Sequence, residues 1–211
     1  IEPNHGIIHD PACGSGGMFV QTGHFMRSSS NEQINEKVII KGTEKIESNA
    51  KLAKMNLRIH GIENTIISGR DGNSFYSDPH NLVGKCDFVM ANPPFNVDGV
   101  DKSKESVKND PRLPFGLPKN DNANYLWIQY FYSYLNENGR AGFVMASSGS
   151  DAGHSEKLIR KDIVDTGAVD VMVSIGNKFF YSVTLPCALW FFDRAKEKDE
   201  VRKDQVLMLD L

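Results

Sequence analysis

Asp10-Pro11-Ala12-Cys13-Gly14-Ser15-Gly16-Gly17, entered from the apolar run Ile7-Ile8-His9, and Asn92-Pro93-Pro94-Phe95, entered from Asp87-Phe88-Val89-Met90-Ala91, decide the fold. Each is a short strand-like run cut off by residues that cannot continue a sheet: proline removes a donor and fixes φ, and glycine supplies backbone freedom. Gly16 to Met26 then reads as a helix, so the first stretch is a strand, a tight turn and a helix.

The pattern repeats outward from these two points. Val38 to Thr43 reads as a second strand with Glu44 at its carboxyl end, and Ala50, Ala53, Leu57 and Ile59 mark a helix stopped by Gly61. Thr65 to Ile67 is a third strand and Cys86 to Ala91 a fourth. Leu126, Phe131 and Leu135 share a helical face that ends at Asn138-Gly139. Ala141 to Ala146, Val169 to Ile175 and Cys187 to Phe192 complete the strands, with a helix through Leu158, Ile163 and Val164 ending at Gly167. Alternating strands and helices imply an α/β sheet whose ligands bind outside the strands' carboxyl ends. Asp10 to Gly17, Thr43-Glu44 and Asn92 to Phe95 all fall at such ends, so they are expected to share one crevice.

The chain has 211 residues, 40% hydrophobic and 24% charged, which suits one domain with a large core. Lys and Arg number 24 against 27 Asp and Glu, for a net charge of −3, so blanket basicity is not available for wrapping a duplex; a local basic groove or a basic partner is. Cys13, Cys86 and Cys187 lie more than 70 residues apart, which points to a reduced, intracellular, cytoplasmic setting rather than a disulfide framework. No apolar run approaches the roughly 18 residues of a membrane span and no signal peptide opens the chain, so a soluble protein without membrane contact is expected. The start at Ile1, with strand-like residues close behind it, suggests a domain excised from something longer.

Gly14 and Gly16 let backbone approach a ligand. A dinucleotide fingerprint needs a small third residue, yet Phe19 stands there, and Asp10 would repel a pyrophosphate. An anionic loop prefers a cationic or zwitterionic ligand, a description S-adenosylmethionine fits; a tight loop whose glycines serve helix packing is the plainer alternative. Glu44 can accept from both hydroxyls of a ribose, Ile46 can pack on an adenine ring, and Asp71 in Gly69-Arg70-Asp71-Gly72 can accept from an exocyclic amine or simply serve its turn. In Asn92-Pro93-Pro94-Phe95 the prolines leave carbonyls as acceptors and Asn92 adds a side-chain oxygen, an arrangement suited to a planar nitrogen that keeps two hydrogens while its lone pair attacks. Phe95 offers a stacking surface.

DPACGSGGMF, NPPF, NANYLWIQYFYSYL-NENGRAGFVM and FFYSVTLPCALWFF together resemble the modification subunit of type I restriction-modification systems, an N6-adenine DNA methyltransferase family, over nearly the whole chain. The resemblance implies a class I S-adenosylmethionine-dependent methyltransferase fold: a Rossmann-like sheet, mostly parallel with one antiparallel strand beside the fifth, and helices on both faces. It places Asp10, Ala12, Gly14 and Gly16 around the methionine end of S-adenosylmethionine, Glu44 at its ribose and Asp71 at its adenine. Asn92, Pro93, Pro94 and Phe95 would hold a flipped adenine, Asn92 and the Pro93 carbonyl each accepting one N6 hydrogen. Residues 1–211 would be the catalytic domain, without the upstream helical domain and downstream helices of that family. DNA and separate specificity and restriction subunits are the implied partners. The same acceptor geometry would also serve a protein glutamine or an RNA base, and a noncatalytic cofactor-binding module is a third reading.

Between Val97 and Asn122, Lys102, Lys104, Lys108 and Arg112 interrupt a stretch poor in apolar residues, read as a mobile DNA-facing loop. Phe180, with Phe179 and Tyr181, is a weaker candidate for a second wall against the base. The six histidines show no ligand spacing, so no metal is expected; His5 and His9 read as solvated or core residues.

Overall fold

Strand β1 (Gly6–Asp10) opens a computed structural model that describes residues 1–29, 34–119, 121–177 and 185–211. Helices α1 (Gly17–Ser29) and α2 (Ile34–Lys37) lead to β2 (Val38–Glu44), and α3 (Glu47–Ile59) leads to β3 (Asn64–Ser68). After β4 (Cys86–Ala91) come α4 (Glu105–Lys108), α5 (Asn124–Tyr134) and β5 (Leu135–Ala146). Helix α6 (His154–Asp165), β6 (Val169–Ile175), β7 (Cys187–Asp193) and β8 (Leu207–Asp210) close the chain.

The strands form one sheet in the order β3-β2-β1-β4-β5-β7-β6-β8. Strands β1 to β5 pair in parallel, and β7 lies antiparallel to both β5 and β6, with Ala146 opposite Cys187 and Ile175 also opposite Cys187. The expected mixed sheet and its antiparallel insertion beside the fifth strand are therefore present. The two larger of the hydrophobic clusters among the described residues lie on opposite faces, because successive strand residues point to opposite sides. Ile8, Ile40, Ile66 and Phe88 pack with α1 and α3, whereas Val89, Ala91, Phe143 and Trp190 pack with α5 and α6.

Local chemistry explains several boundaries. Helix α3 buries Ala50, Ala53 and Leu57 and ends in a Schellman cap: Ile62 N–H donates to the Leu57 carbonyl, Gly61 N–H to that of Arg58, and Gly61 has φ of +68°. Ile59, read with Ala50, Ala53 and Leu57 as marking the helix, is 73% exposed. The helix through Leu126 and Phe131 ends at Tyr134, not at Asn138-Gly139. Leu135 already pairs with Cys86 of β4, and a Cβ at Gly139 would stand 2.6 Å from the Cys86 carbonyl oxygen. That glycine permits close approach of two backbones instead of stopping a helix. Strand β8 was not expected: it is four residues long, exposed throughout, and lies beside β6, with Leu207 opposite Val171. No alternating pattern announces such an edge strand.

Candidate active site

The sheet order reverses between β1 and β4: the crossover from β1 runs to β2 on one side, while β5 follows β4 on the other. His9 is level with Val89, so Asp10 and Ala91 end adjacent strands at this switch point, where α/β sheets open a crevice. Glu44 ends β2 opposite Ser68 of β3. The three segments therefore lie at the same end of the sheet.

The glycine loop is built around Glu44. Its Oε2 accepts from Gly14 N–H at 3.0 Å and its Oε1 from Ile46 N–H at 2.8 Å, while Cys13 N–H donates to the Thr43 carbonyl at 3.0 Å. Gly14 sits at φ of +53°, and a Cβ there would meet nothing within 4 Å. The loop thus turns bare backbone toward open space, the cradle a ligand needs. Gly16 differs: at φ of +78°, its Cβ position lies 3.5 Å from Ala53 and Leu57, so this glycine seats α1 on α3. Phe19, the residue that departs from a dinucleotide fingerprint, is fully buried, and its ring lies 3.1 Å from where Gly42 would carry a side chain. A small residue on β2 makes room for a large one on α1.

Two carboxylates underlie this loop, each accepting from backbone amides. Asp10 is 2% exposed and accepts from Ala12 N–H at 2.9 Å; burial, reinforced by the charge of Glu44, pushes its pKa up from 3.8 to about 7. Glu44 is 8% exposed. A nearby cation eases buried carboxylates of this kind, so these acceptors suit a ligand carrying ammonium and sulfonium groups. Asp71 is exposed and lines a cavity of about 750 Å³ with Lys45, Arg70, Tyr76 and Lys104. It reaches this end of the sheet because Gly72 passes so close to β2 that a Cβ would lie 2.3 Å from the Glu44 carbonyl oxygen. Ser74 donates to the Pro11 carbonyl at 2.5 Å, fastening this turn to the glycine loop. Ser74 did not stand out in the sequence, and Gly72 was read only as part of the turn around Asp71. The dense Gly-x-x-Gly spacing around Asp71 was the available sign.

Beyond β4, Asn92 and Pro94 are exposed, Pro93 is buried, and Phe95 is half-buried against Val173, Ile175 and Cys187 at the ends of β6 and β7. The next residue, Asn96, has φ of +51°; its N–H donates to Asn124 Oδ1 at 2.9 Å, and its Oδ1 accepts from Asn124 Nδ2 at 2.7 Å. Gly99 N–H adds a bond to Asp121 at 3.0 Å. Asparagine tolerates left-handed backbone better than most residues, which is the one sequence sign that Asn96 had a special place.

The basic stretch after Phe95 is not a featureless loop: it contains α4, and it buries Val100, Val107, Asp110 and Arg112. Arg112, grouped with the lysines by charge, belongs to the interior. It is 2% exposed and forks onto Asp110 at 2.6–3.1 Å, with Tyr134 Oη at 2.7 Å and the Tyr130 ring 4.1 Å away. Its guanidinium cannot reach a phosphate while these contacts stand. Lys104 lies over the Tyr76 ring at 4.2 Å and Lys108 pairs with Glu105, both exposed. Lys102 is half-buried, with Asp121 and Glu156 in its electrostatic surroundings. Phe180 lies outside the described residues. His9 is a core residue: its Nδ1 lies 2.8 Å from the Lys41 carbonyl, and burial pushes its pKa down to about 3.

A mostly parallel sheet with an antiparallel β7 between β5 and β6 is the fold of the class I S-adenosylmethionine-dependent methyltransferases. The chain belongs to the N-6 DNA methylase family, whose model matches residues 1–211. It is 37% identical to the methylase subunit of the type I restriction enzyme HindI of Haemophilus influenzae, an alignment covering 100% of this chain and 45% of that protein. It is 40% identical to the MjaIX methylase subunit of Methanocaldococcus jannaschii, covering 100% of this chain and 37% of that one. Among solved structures, the methyltransferase subunit of a Streptococcus thermophilus type I restriction-modification system superposes with a TM-score of 0.82 at 24% identity, over 98% of this chain and 42% of the other. The chain spans less than half the length of these relatives. Among the described residues, no helix is long and apolar enough to cross a membrane.

Proposed function

We propose that this chain is the methyl-transfer domain of a modification subunit, acting in the cytoplasm on N6 of an adenine flipped out of DNA, alongside separate specificity and restriction subunits. The observation that carries the reading is the placement of Asn92-Pro93-Pro94-Phe95 at the end of β4, across the switch point from the anionic glycine loop at the end of β1. The names of the relatives, methylase subunits of type I restriction enzymes, support it.

In this reading Asp10 and the backbone of Ala12 and Gly14 border the methionine end of the cofactor, with Gly16 holding the loop in shape. Glu44 faces its ribose, beside Ile46, and Asp71 its adenine. When bound, S-adenosylmethionine supplies an electrophilic methyl group on a positively charged sulfur. The protein contributes position and electrostatics. An adenine inside a duplex presents N6 to its pairing partner, so it must leave the stack at a cost of a few kcal/mol. Asn92 Oδ1 and the Pro93 carbonyl then accept the two N6 hydrogens, favouring a pyramidal nitrogen whose lone pair is free to attack. Pro94 stiffens the segment, and Phe95 stacks on the ring. Lys102, Lys104 and Lys108 contribute to phosphate attraction on the surface that follows, and Phe180 is a further candidate wall for the base.

The test is single-turnover methylation by the full-length protein with its partner subunits, followed by nucleoside analysis, together with cofactor affinity. N6-methyladenine should be the product, and Asn92→Ala should slow transfer while leaving cofactor affinity nearly unchanged. Label recovered in peptide instead of DNA, or wild-type transfer by Asn92→Ala, would overturn the assignment.

A further inference from the structure

The prolines stiffen the base-holding segment only as far as Pro94, since a pyrrolidine ring fixes the φ of its own residue and narrows the conformation of the one before it. Phe95 gains nothing from them: its ψ, and hence the direction in which the chain leaves it, must be set by something else. The structure supplies that restraint from a different element. The N–H that Asn96 donates to Asn124 Oδ1 belongs to the peptide joining Phe95 to Asn96, and a peptide is planar. Fixing that N–H therefore fixes the whole plane, the Phe95 carbonyl included. The return bond, from Asn124 Nδ2 to Asn96 Oδ1 at 2.7 Å, closes a two-bond clasp and holds Asn96 in its left-handed conformation.

Asn124 is well placed to act as the fixed side of this clasp. It is the first residue of α5, itself 3% exposed, and ten of the eleven residues of that helix are buried. Asn96, by contrast, is exposed. A rigid core helix thus reaches out to the surface segment through a single side-chain amide, 28 residues away in the chain.

We propose that Asn124 is a positioning residue for methyl transfer: it holds the Phe95–Asn96 peptide, and through it Phe95 and the acceptor segment, in the geometry that receives the target base. This rests on the reading of Asn92 to Phe95 given above. Asn124 touches neither base nor cofactor in this role, and its effect runs through Asn96.

The experiment compares Asn124→Ala, Asn96→Gly, their double variant and Asn92→Ala in the full-length protein with its partner subunits. It records single-turnover methylation, S-adenosylhomocysteine affinity and thermal unfolding. Loss of alignment by a fraction of an ångström to one ångström costs up to about 100-fold in rate. Asn124→Ala is expected to slow transfer by about 10- to 100-fold with cofactor affinity held within about twofold. Asn96→Gly, which keeps the left-handed turn and one of the two bonds, should slow transfer by at least about threefold, and the double variant should be no slower than Asn124→Ala alone. Equal losses in rate and cofactor affinity, or additive effects in the double variant, would overturn the proposal. Should Asn124→Ala fail to fold, Asn96→Gly decides: a wild-type rate there overturns it as well. A wild-type rate for Asn92→Ala would instead remove the underlying assignment of the segment, a separate and distinguishable failure.

Discussion

Replacing Arg112 by alanine distinguishes a buried ion pair from a DNA contact. The guanidinium and the Asp110 carboxylate have side-chain exposures of 2% and 3%, and the pair is bidentate, with Nε and NH2 both on Asp110. Further bonds run from NH1 to Tyr134 Oη at 2.7 Å and to the Ser77 carbonyl at 3.2 Å. Removing the arginine leaves Asp110 charged or forces it to take up a proton, and breaking a buried pair in this way costs roughly 3–5 kcal/mol. For a domain of this size each kcal/mol corresponds to ~2–4 °C, so the melting temperature should fall by roughly 6–20 °C. Replacing both partners by apolar residues, Arg112→Met with Asp110→Leu, should restore most of the loss, because no uncompensated charge remains. The assay is urea unfolding of the three proteins, paired with DNA binding at several salt concentrations under conditions where each is folded. A loss below about 1 kcal/mol in Arg112→Ala would refute the buried-pair argument, as would a flatter salt dependence of DNA binding, the signature of a lost phosphate contact.

Asp10 supplies a pH-dependent test. Its folded pKa of about 7 lies above 3.8, so the folded state holds this proton more tightly than the unfolded chain, and the associated stability is present below about pH 4 and lost as pH rises to about 7. Cofactor-free wild-type protein should lose up to ~4 kcal/mol relative to Asp10→Asn between those limits; parallel stability curves in urea would refute it. Gly14→Trp should abolish S-adenosylhomocysteine binding by filling the space above the loop, and calorimetry with unchanged affinity would move the ligand elsewhere. Replacing Lys102, Lys104 and Lys108 together by alanine should reduce the log–log salt slope of DNA binding by up to about 3, since each lost phosphate contact is worth about 0.9. An unchanged slope would return these lysines to a solvated surface.

The sequence by itself determined the strands up to β7, the two punctuating segments and their arrival at one end of the sheet. These features are local: apolar runs of strand length, glycine and proline at their ends, and an alternation with helices that leaves few topologies open. Tertiary structure alone decided what the polar residues between them do. Charge placed Arg112 with the lysines, yet packing against Tyr130 and Tyr134 sealed it inside. Composition made residues 97–122 a loose loop, although a buried ion pair and Val107 give it a core of its own. Gly139 looked like a helix stop, and the approach of β4 made it a point of backbone contact instead. Glu44 was legible as a strand-end carboxylate, but its grip on the amide of Gly14, and the clasp between Asn96 and Asn124, join residues far apart in the chain. Hydrogen bonds across such separations leave no periodic trace in a sequence, because a side-chain amide or carboxylate finds its partner only after the hydrophobic faces have packed and fixed the distance.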